Sequence, residues 1–300
     1  MSLRTPVAAA GLPSVKIVLI DFHTHTTASD GALTPAELLG RAAERGISLL
    51  AITDHDTDAG YRAACELRDD YPEVQLIPGV ELSCRWSATT IHIVGLGVDF
   101  DHDAMREALA LLDGARAERG TIIASRLEAR GFQGALDGAL AEAGESQLGR
   151  PHFSAWMVEQ GHVKNHQAAF DKYLGQGKMG DVKACWPELA EVVRWIVAAG
   201  GVAVLAHPLK YKFTRMKLRR LVLDFVAAGG TAIEVLSGRQ NPDQVAQLQR
   251  LADEFELLAS AGSDFHRDGP YNPELGVELR RLEGRAAVWQ RWQTVDEGQQ

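Results

Sequence analysis

The sequence is poor in the features that mark secreted and membrane-spanning proteins. Its three cysteines, Cys65, Cys84 and Cys185, are too few and too scattered for a disulfide framework or a paired-cysteine zinc site. No apolar run approaches the roughly 20 residues that a membrane-spanning helix needs. The amino-terminal segment, residues 1–14, also lacks the apolar core of a signal peptide. We therefore expect a protein of the reducing cytoplasm that has no membrane partner.

The sequence also has no excess of basic over acidic residues. The formal net charge is −9, whereas tight binding to a phosphate backbone needs clustered lysine and arginine. This argues against a broad nucleic-acid-binding face, and no DNA-binding surface is expected. A small phosphorylated substrate stays compatible with the charge, because bound metal cations would reverse the local field.

The 300 residues do contain a regular succession of short, β-branched apolar runs, several of them followed by helix-like sequence. One such helix is predicted to begin after Thr34, a good N-cap, with Pro35 in its first turn. Alternation at this spacing predicts parallel strands, and seven runs favour a barrel over an open doubly wound sheet, although the pattern alone allows both. The predicted strands are 16–20, 48–53, 74–80, 90–98, 201–206, 231–236 and 256–261.

One long region interrupts the alternation. Residues 101–186 have helix-like sequence with little strand character, and they follow the fourth predicted strand directly. We predict a helical insertion domain that covers the active face of the barrel. The barrel itself would then comprise residues 16–100 and 187–290, and residues 1–15 would form a disordered leader.

Histidines and acids gather where the apolar runs end. The carboxyl ends of the strands of an α/β barrel converge on one face, so residues far apart in sequence can meet there. Any one histidine alone is more often structural, but six of the ten histidines fall at or near predicted strand ends. The candidate metal ligands are His23, His25, Asp30, His55, Glu81, His92, His207, Asp264 and His266.

The residue types in this set indicate divalent metal chemistry. Imidazole and carboxylate groups suit manganese, zinc or iron. Six histidines and three carboxylates exceed what one ion can use, so two or three ions are predicted, and Glu81 could bridge two of them. Adjacent ions lower the pKa of a shared water and stabilise both the attacking and the leaving oxygen. The sequence therefore predicts a multinuclear hydrolase centre.

The ordered motifs DFHTHTTASDGALTP, AITDHDT, GVELS, IHIVGLG, AHP and GSDFH resemble the PHP (polymerase and histidinol phosphatase) family over residues 17–267. The insertion after HIVGLG, the RPHF segment and FDKYLGQGK are most similar to one subgroup. Its members are bacterial 3′,5′-nucleoside bisphosphate phosphatases, also described as ribonuclease AM, a 5′→3′ exoribonuclease. The resemblance implies a distorted (β/α)7 barrel with a trinuclear centre, usually of manganese, with zinc or iron as alternatives.

The resemblance also implies roles for the candidate ligands. A metal-bound hydroxide would attack the 5′ phosphorus of a nucleoside bisphosphate, giving a 3′-nucleotide, or the first linkage at an RNA 5′ end, giving 5′-mononucleotides. One ion, with the hydroxide, would be held by His23, His25, Glu81 and Asp264, a second by Glu81 and His92, and a third by Asp30, His55 and either His207 or His266.

Candidate substrate contacts lie outside the metal set. Arg150 and His152 open the RPHF segment and could reach a substrate phosphate, or they could cap and pack a helix. Lys178 is a weaker candidate, because Lys178 and Lys183 flank the return to the barrel and solvated lysines are common there. Three further acids, beside His55, suit supporting hydrogen bonds better than direct ligation: Asp54, Asp56 and Asp58.

The segment 210–220 contains six basic residues and no acid, directly after His207. Such a run is often a solvated helix face, but its position would let Lys210 and its neighbours guide a polyanion. Tyr211 or Phe213 could also stack on a base. We therefore hypothesise that this basic run contributes more to RNA trimming than to bisphosphate hydrolysis.

Three rival functions share part of this pattern. Another PHP phosphatase, such as histidinol phosphatase, would keep the ligands but is not favoured by the insertion. An amidohydrolase-type C–N hydrolase also uses HxH and a late aspartate, whereas Asp30, the DH pair and the final DxH follow the PHP pattern. A metal-stabilised scaffold without activity would not need so complete a ligand set.

Overall fold

The apolar runs form one eight-stranded sheet that curls into a nearly closed barrel. The computed structural model describes residues 19–282 and 284–293, so the predicted leader, residues 1–15, lies outside the described residues. The α/β barrel that the sequence predicts is confirmed. In sheet order the strands are β7 (Leu258–Gly262), β6 (Ala232–Ser237), β5 (Val202–Leu205), β4 (Thr89–Leu96), β3 (Gln75–Trp86), β2 (Ile47–Ile52), β1 (Leu19–Asp21) and β8 (Val277–Glu278).

Contacts between β1 and β7 close the barrel on the side of the predicted site. The backbone amide of Phe22 donates to the carbonyl of Ala261 at 3.1 Å, and the amide of Asp264 donates to the carbonyl of His23 at 2.8 Å. Gly262 has no side chain, and a Cβ there would lie 2.4 Å from the Cβ of His23. A glycine is therefore required for the ends of the two strands to approach this closely.

The prediction of parallel strands is wrong for β4, which pairs antiparallel with both β3 and β5. Only Ser87 and Ala88 separate β3 from β4, and Ser87 has a positive φ of 54°. A two-residue turn reverses the chain, so it can join only antiparallel strands. The two-residue strand β8, antiparallel to β1, is too short for the sequence pattern to reveal.

Helices cover the outside of the barrel. Thr34 caps the first of them, and Glu37 returns a hydrogen bond to the backbone of Thr34, as a capping box requires. No described helix has both the length and the apolar character needed to cross a membrane. The helices outside the insertion are α1 (Pro35–Glu44), α2 (Ala59–Cys65), α7 (Leu189–Ala198), α8 (Arg215–Ala227) and α9 (Pro242–Glu254).

The chain between β4 and α7 is largely helical and contains a hydrophobic cluster of its own. Phe153, Trp156 and Met157 pack there against Leu127 and Leu174, separately from the main core of the barrel. A π-helical turn, Phe170–Leu174, precedes the return to the barrel. The α-helices of this segment are α3 (Asp103–Glu128), α4 (Ala135–Ala143), α5 (Arg150–Glu159) and α6 (His166–Ala169).

Candidate metal centre

All nine candidate ligands meet at the face where β1, β5 and β7 end. Glu81 lies at the centre of the group and is 1% exposed. Four sets of side chains have ligand atoms within 4.8 Å of one another, close enough to hold a cation. The sets are His23–His25–Asp264, His23–Glu81–His207, His55–Glu81–His92 and His25–Asp30–His55–His266.

The two carboxylate oxygens of Glu81 face different histidines. Oε1 lies 2.8 Å from His207 Nε2 and 3.0 Å from His92 Nδ1. Oε2 lies 3.2 Å from His23 Nε2 and 3.3 Å from His25 Nε2. This is the geometry of a carboxylate that can bridge two cations, with one oxygen for each.

Asp30 defines the opposite side of the group. Its Oδ1 lies 3.3 Å from His266 Nε2 and 3.9 Å from His55 Nε2. The ring of His266 also stacks on that of His25, with 4.1 Å between centroids. These distances favour His266 over His207 as the companion of Asp30 and His55, because His207 faces Glu81.

The chemistry of the donor set fits metal ions. The Nε2 atoms of His23 and His25 lie only 3.1 Å apart, and both point to the same oxygens of Glu81 and Asp264. Unpaired buried polar atoms are costly, and a coordinated cation would satisfy them. Within the described part of the chain, the buried atoms of this group without a hydrogen-bond partner are His25 Nδ1, Asp30 Oδ1, His55 Nδ1, Glu81 Oε2 and His207 Nδ1.

The pKa values of the adjacent His23 and His25 are shifted in opposite directions. Burial alone would lower the pKa of His23, but Glu234 and Glu81 raise it to about 10. Burial and the neighbouring His266 lower the pKa of His25 to about 3. The low pKa of His25 favours the neutral imidazole that binds metal, and a cation bound at this pair would displace the proton of His23.

Glu234 is a member of the site that the sequence analysis did not identify. It lies buried in β6, where its Oε1 is 2.5 Å from His23 Nδ1 and its Oε2 accepts the backbone amide of His207 at 2.6 Å. Burial would raise the pKa of Glu234, but His23 and His207 bring it below its usual value. An acid within the apolar run TAIEVL was the signal that could have revealed it.

Two acids next to His55 hold the loops of the site in place. Asp54 accepts hydrogen bonds from the Thr26 amide, at 2.7 Å, and from the Ser29 hydroxyl, at 2.6 Å. Asp56 accepts the Ser83 amide, at 2.6 Å. Asp58, in contrast, pairs with Arg62.

Left-handed backbone turns aim two of the ligands into the site. Asp264 has a φ of 57° and His207 a φ of 30°, values that non-glycine residues seldom adopt. His207 lies two residues after the end of β5, and Asp264 lies two residues after the end of β7. Such conformations persist where surrounding contacts impose them, and they concentrate at functional sites.

An arginine-rich cavity of about 220 Å³ opens onto His55 and His92. Arg116, Arg119 and Arg150 line it. Arg116 pairs with Asp56 at 2.6 Å, whereas no carboxylate of the described residues lies within 4.0 Å of the Arg119 or Arg150 guanidinium. Arg119 donates to the Val182 carbonyl and Arg150 to the Leu174 carbonyl.

Charge in this cavity is only partly compensated. Burial, then repulsion from Arg150 and Arg116, lowers the pKa of Arg119 to about 9. Arg116 and Arg119 also lie over the Trp186 ring, with the Arg119 Cζ 5.2 Å from its centroid. A cavity that contains the buried Arg119 and the partly buried Arg150, both without carboxylate partners among the described residues, is suited to an anionic ligand.

The structure separates the predicted substrate contacts. Arg150 lines the arginine-rich cavity, while the Nδ1 of the buried His152 accepts the Gly149 amide and helps to begin α5. Lys210 forms an ion pair with Asp264 inside the site. Lys178 is exposed and lines neither of the cavities next to the metal ligands, and Lys183 pairs with Asp181.

Tyr211 is not free to stack on a base. Its hydroxyl donates to the Ala206 carbonyl at 3.0 Å and accepts the His92 amide at 3.0 Å. Its ring packs edge-on against His207, with 5.5 Å between centroids. Tyr211 therefore positions β4 and the segment after β5, and the stacking hypothesis applies only to Phe213.

Comparison with known proteins places these observations in a family. The PHP domain model matches residues 21–197. The 5′-3′ exoribonuclease Rnm of Salmonella typhimurium is 44% identical over 277 residues, which are 92% of this chain and 94% of the relative. The 3′,5′-nucleoside bisphosphate phosphatase of Chromobacterium violaceum is 43% identical over 260 residues, which are 86% of this chain and 90% of the relative.

Solved structures give the same result for the fold. A structure of an amidohydrolase from Chromobacterium violaceum, with bound sulfate and no metal, has a TM-score of 0.81 at 40% identity and covers 91% of this chain and 95% of its own. A protein from Bifidobacterium adolescentis, described as a metal-dependent phosphoesterase, has a TM-score of 0.74 at 28% identity. It covers 86% of this chain and 91% of its own.

Proposed function

The chain belongs to the PHP domain family, and from that premise we propose that it hydrolyses phosphate esters at the 5′ ends of nucleotides. The proposed substrates are nucleoside 3′,5′-bisphosphates and the 5′ ends of short RNA. These are the substrate classes in the names of the relatives from Chromobacterium violaceum and Salmonella typhimurium.

The arginine-rich cavity beside the metal ligands carries this proposal. A phosphate at the metal centre would lie next to Arg119 and Arg150, which have no carboxylate partner among the described residues, so a substrate with a second anionic group on the same nucleoside fits both places. Nucleoside bisphosphates carry that group as a 3′-phosphate, and RNA carries it as the next phosphodiester. Histidinol phosphate has a single phosphate, and a neutral amide has no phosphate.

We propose three divalent ions, with manganese first and zinc or iron as alternatives. Such ions lower the pKa of water and neutralise charge that develops on the phosphate. The imidazole and carboxylate ligands suit all three metals. From the distances, one ion would take His23, His25, Glu81 and Asp264, a second Glu81, His92 and His207, and a third Asp30, His55 and His266.

The protein's own contribution is to place and neutralise the substrate. Arg119 and Arg150 would hold the 3′-phosphate through charge-assisted hydrogen bonds, and Arg116, fixed by Asp56, would add its field. Orientation of this kind can supply a large part of rate enhancement. In the bisphosphate reaction water adds its oxygen to the 5′ phosphorus, the bond from phosphorus to O5′ breaks, and the O5′ oxygen takes up a proton.

One comparison of substrates tests the proposed function. The manganese-loaded protein is given pAp, pApA, histidinol phosphate and a dihydropyrimidine-type amide, and release of phosphate, nucleotide or acid is measured. We expect turnover of pAp and pApA. Turnover of histidinol phosphate alone would identify a different PHP phosphatase, and turnover of the amide alone would identify a C–N hydrolase.

The substitution Arg119→Gln tests the role of the cavity. Loss of a charge-assisted hydrogen bond costs about 1.5–3 kcal/mol, so kcat/KM for pAp is expected to fall roughly 10- to 100-fold, mainly through KM. A 5′-monophosphate without a 3′-phosphate should lose much less. The matched control is Arg126→Gln, on the same helix but outside the cavity. Equal losses for both substrates would rule out recognition of the second phosphate.

A further inference from the structure

The helical insertion between β4 and α7 contacts two loops that carry ligands of the third proposed ion. Asp30 lies in the loop between β1 and α1, and His55 lies in the loop between β2 and α2. Asp30 Oδ1 is 3.9 Å from His55 Nε2. Each of the two loops forms hydrogen bonds with the insertion. The insertion therefore reaches the metal centre where these two ligands approach each other.

Arg116 of α3 reaches the loop of His55 through Asp56. Its Nε donates to Asp56 Oδ2 at 2.7 Å, its Nη2 lies 2.6 Å from the same oxygen, and both side chains are buried. Asp56 also accepts hydrogen bonds from the Ser83 amide, at 2.6 Å, and from the Ser83 hydroxyl, at 2.8 Å. Ser83 lies on β3, two residues after Glu81. Asp56 thus joins the insertion to the strand that carries the bridging carboxylate.

The backbone at Asp56 depends on these contacts. Asp56 directly follows His55 and has a φ of 56°, in the left-handed region that non-glycine residues seldom adopt. Such a conformation persists where surrounding contacts impose it. Arg116 and Ser83 contact the side chain, and the Asp56 amide donates to the Glu81 carbonyl at 2.9 Å. The direction in which the His55 side chain points therefore depends in part on a residue of the insertion.

Arg116 is also connected to the loop of Asp30. Its Nη1 donates to the Leu148 carbonyl at 3.1 Å, in the segment between α4 and α5. The preceding residue, Gln147, donates its backbone amide to the Ala28 carbonyl at 3.1 Å, in the loop of Asp30. Arg116 is therefore linked to both ligand-bearing loops, to one through a carboxylate and to the other through the segment before α5.

The other two proposed ions have ligands that the barrel itself holds. Glu81 and His92 lie within β3 and β4, and His23 follows β1 where the barrel closes. The hydrogen bonds of the sheet fix the backbone at these positions. Asp30 and His55, in contrast, lie in loops, where contacts to neighbouring segments must replace those of the sheet. Loss of a contact to the insertion is therefore expected to affect the third ion first.

We propose that Arg116 is a positioning residue for the third ion. By holding Asp56 and the segment before α5, it fixes the loops of Asp30 and His55 relative to each other. This inference rests on the three-ion centre of the proposed function. Partners outside the ligand set fix the geometry of metal ligands, and their loss typically lowers metal affinity 10- to 100-fold. The insertion thus contributes to metal binding as well as to the arginine-rich cavity.

The number of ions bound by Arg116→Gln tests this role. The manganese content of each chain is measured by elemental mass spectrometry, and the dissociation constants are measured by competition with a chelator. We expect the affinity for one of three ions to fall about 10- to 100-fold, and the affinity for the other two to change by about threefold or less. A buried carboxylate that loses its partner destabilises a protein, so Arg116→Gln/Asp56→Asn, which removes both charges, is measured as well. It should also weaken one ion.

Arg119→Gln is the matched control. Arg119 lies on the same helix and lines the same cavity, but it donates to the Val182 carbonyl and not to Asp56. This variant should keep three ions while its hydrolysis of pAp falls. An unchanged third ion in both Arg116 variants, or equal weakening of all three ions, overturns the positioning role. Fewer than three ions in the unmodified protein overturns the three-ion centre and this inference with it, whereas failure to hydrolyse pAp overturns the proposed function itself.

Discussion

At the scale of single residues, the site depends on side chains that do not touch a metal. Glu234 contacts both His23 and the backbone of His207, so it orients two candidate ligands that follow different strands. Such partners fix the tautomer and direction of an imidazole and raise its basicity. The precision of the centre therefore depends on β6 as well as on the strands that carry the ligands.

The substitution Glu234→Gln should weaken the centre without removing a ligand. Loss of an outer partner typically costs 10- to 100-fold in metal affinity or activity, and we expect a change of that order. Metal affinity is measured by competition with a chelator, and activity with pAp. Glu107→Gln, at an exposed site on α3, is the matched control. Unchanged metal affinity would show that Glu234 only fills space.

At the scale of elements, the approach of β1 to β7 decides whether the ligands meet. Gly262 on β7 lies against His23, and the backbones of the two strands are hydrogen-bonded at Asp264 and Phe22. A side chain at Gly262 would therefore push apart the two elements that carry His23, His25 and Asp264.

The substitution Gly262→Ala is expected to destabilise the barrel. Overpacking of a closed contact costs typically 1–3 kcal/mol, so the free energy of unfolding should fall by about that amount, and metal affinity should fall with it. Denaturant titration gives the first quantity. In contrast, Gly114→Ala in α3, where a Cβ meets no atom within 4 Å, should stabilise by about 0.5–1 kcal/mol. Equal stability of the two variants would contradict the close contact.

The basic run after β5 divides into two parts in the structure. Lys210 pairs with Asp264 in the site, and Arg219 pairs with Glu254. Lys212 and Arg215 are exposed, and no carboxylate of the described residues lies within 4.0 Å of their cationic groups. This exposed part, at the start of α8, is the part that can attract an RNA chain.

Charge reversal of the exposed part, in the double variant Lys212→Glu/Arg215→Glu, should reduce RNA trimming more than pAp hydrolysis. For every RNA phosphate that these side chains no longer neutralise, the slope of log K against log salt should become shallower by about 0.7. KM is measured for an RNA of several nucleotides at a series of salt concentrations. The control Arg68→Glu/Arg130→Glu makes the same change in net charge elsewhere on the surface. Equal loss on both substrates would refute the hypothesis.

At the scale of the whole molecule, the metal centre joins the two halves of the barrel. Its ligands come from segments between His23 and His266, so bound ions would hold together strands that lie far apart in sequence. Without cations, the buried group contains polar atoms without hydrogen-bond partners and two adjacent histidines whose pKa values are shifted in opposite directions. Folding and metal binding are therefore expected to be coupled.

Metal loading should raise the melting temperature. At a free metal concentration 100 times the dissociation constant, the stabilisation is about 2.7 kcal/mol, which corresponds to roughly 5 °C or more for a protein of this size. Scanning calorimetry with manganese and with a chelator measures the difference. Glu81→Gln, which alters the central bridging carboxylate, should lose most of the shift. An identical melting temperature with and without metal would contradict the coupling.

The sequence alone singled out the nine candidate ligands, because a barrel brings strand ends together and most of the motifs lie at or near such an end, although Glu81 and His92 lie within β3 and β4. It also determined the α/β class, from the period of the apolar runs. It did not reveal Glu234, the antiparallel β4 or the lack of carboxylate partners for Arg119 and Arg150 among the described residues. Those features depend on which atoms meet across the barrel and the insertion, and only the tertiary structure fixes such distances. For the same reason, the assignment of His207 to Glu81 and of His266 to Asp30 became possible only in three dimensions.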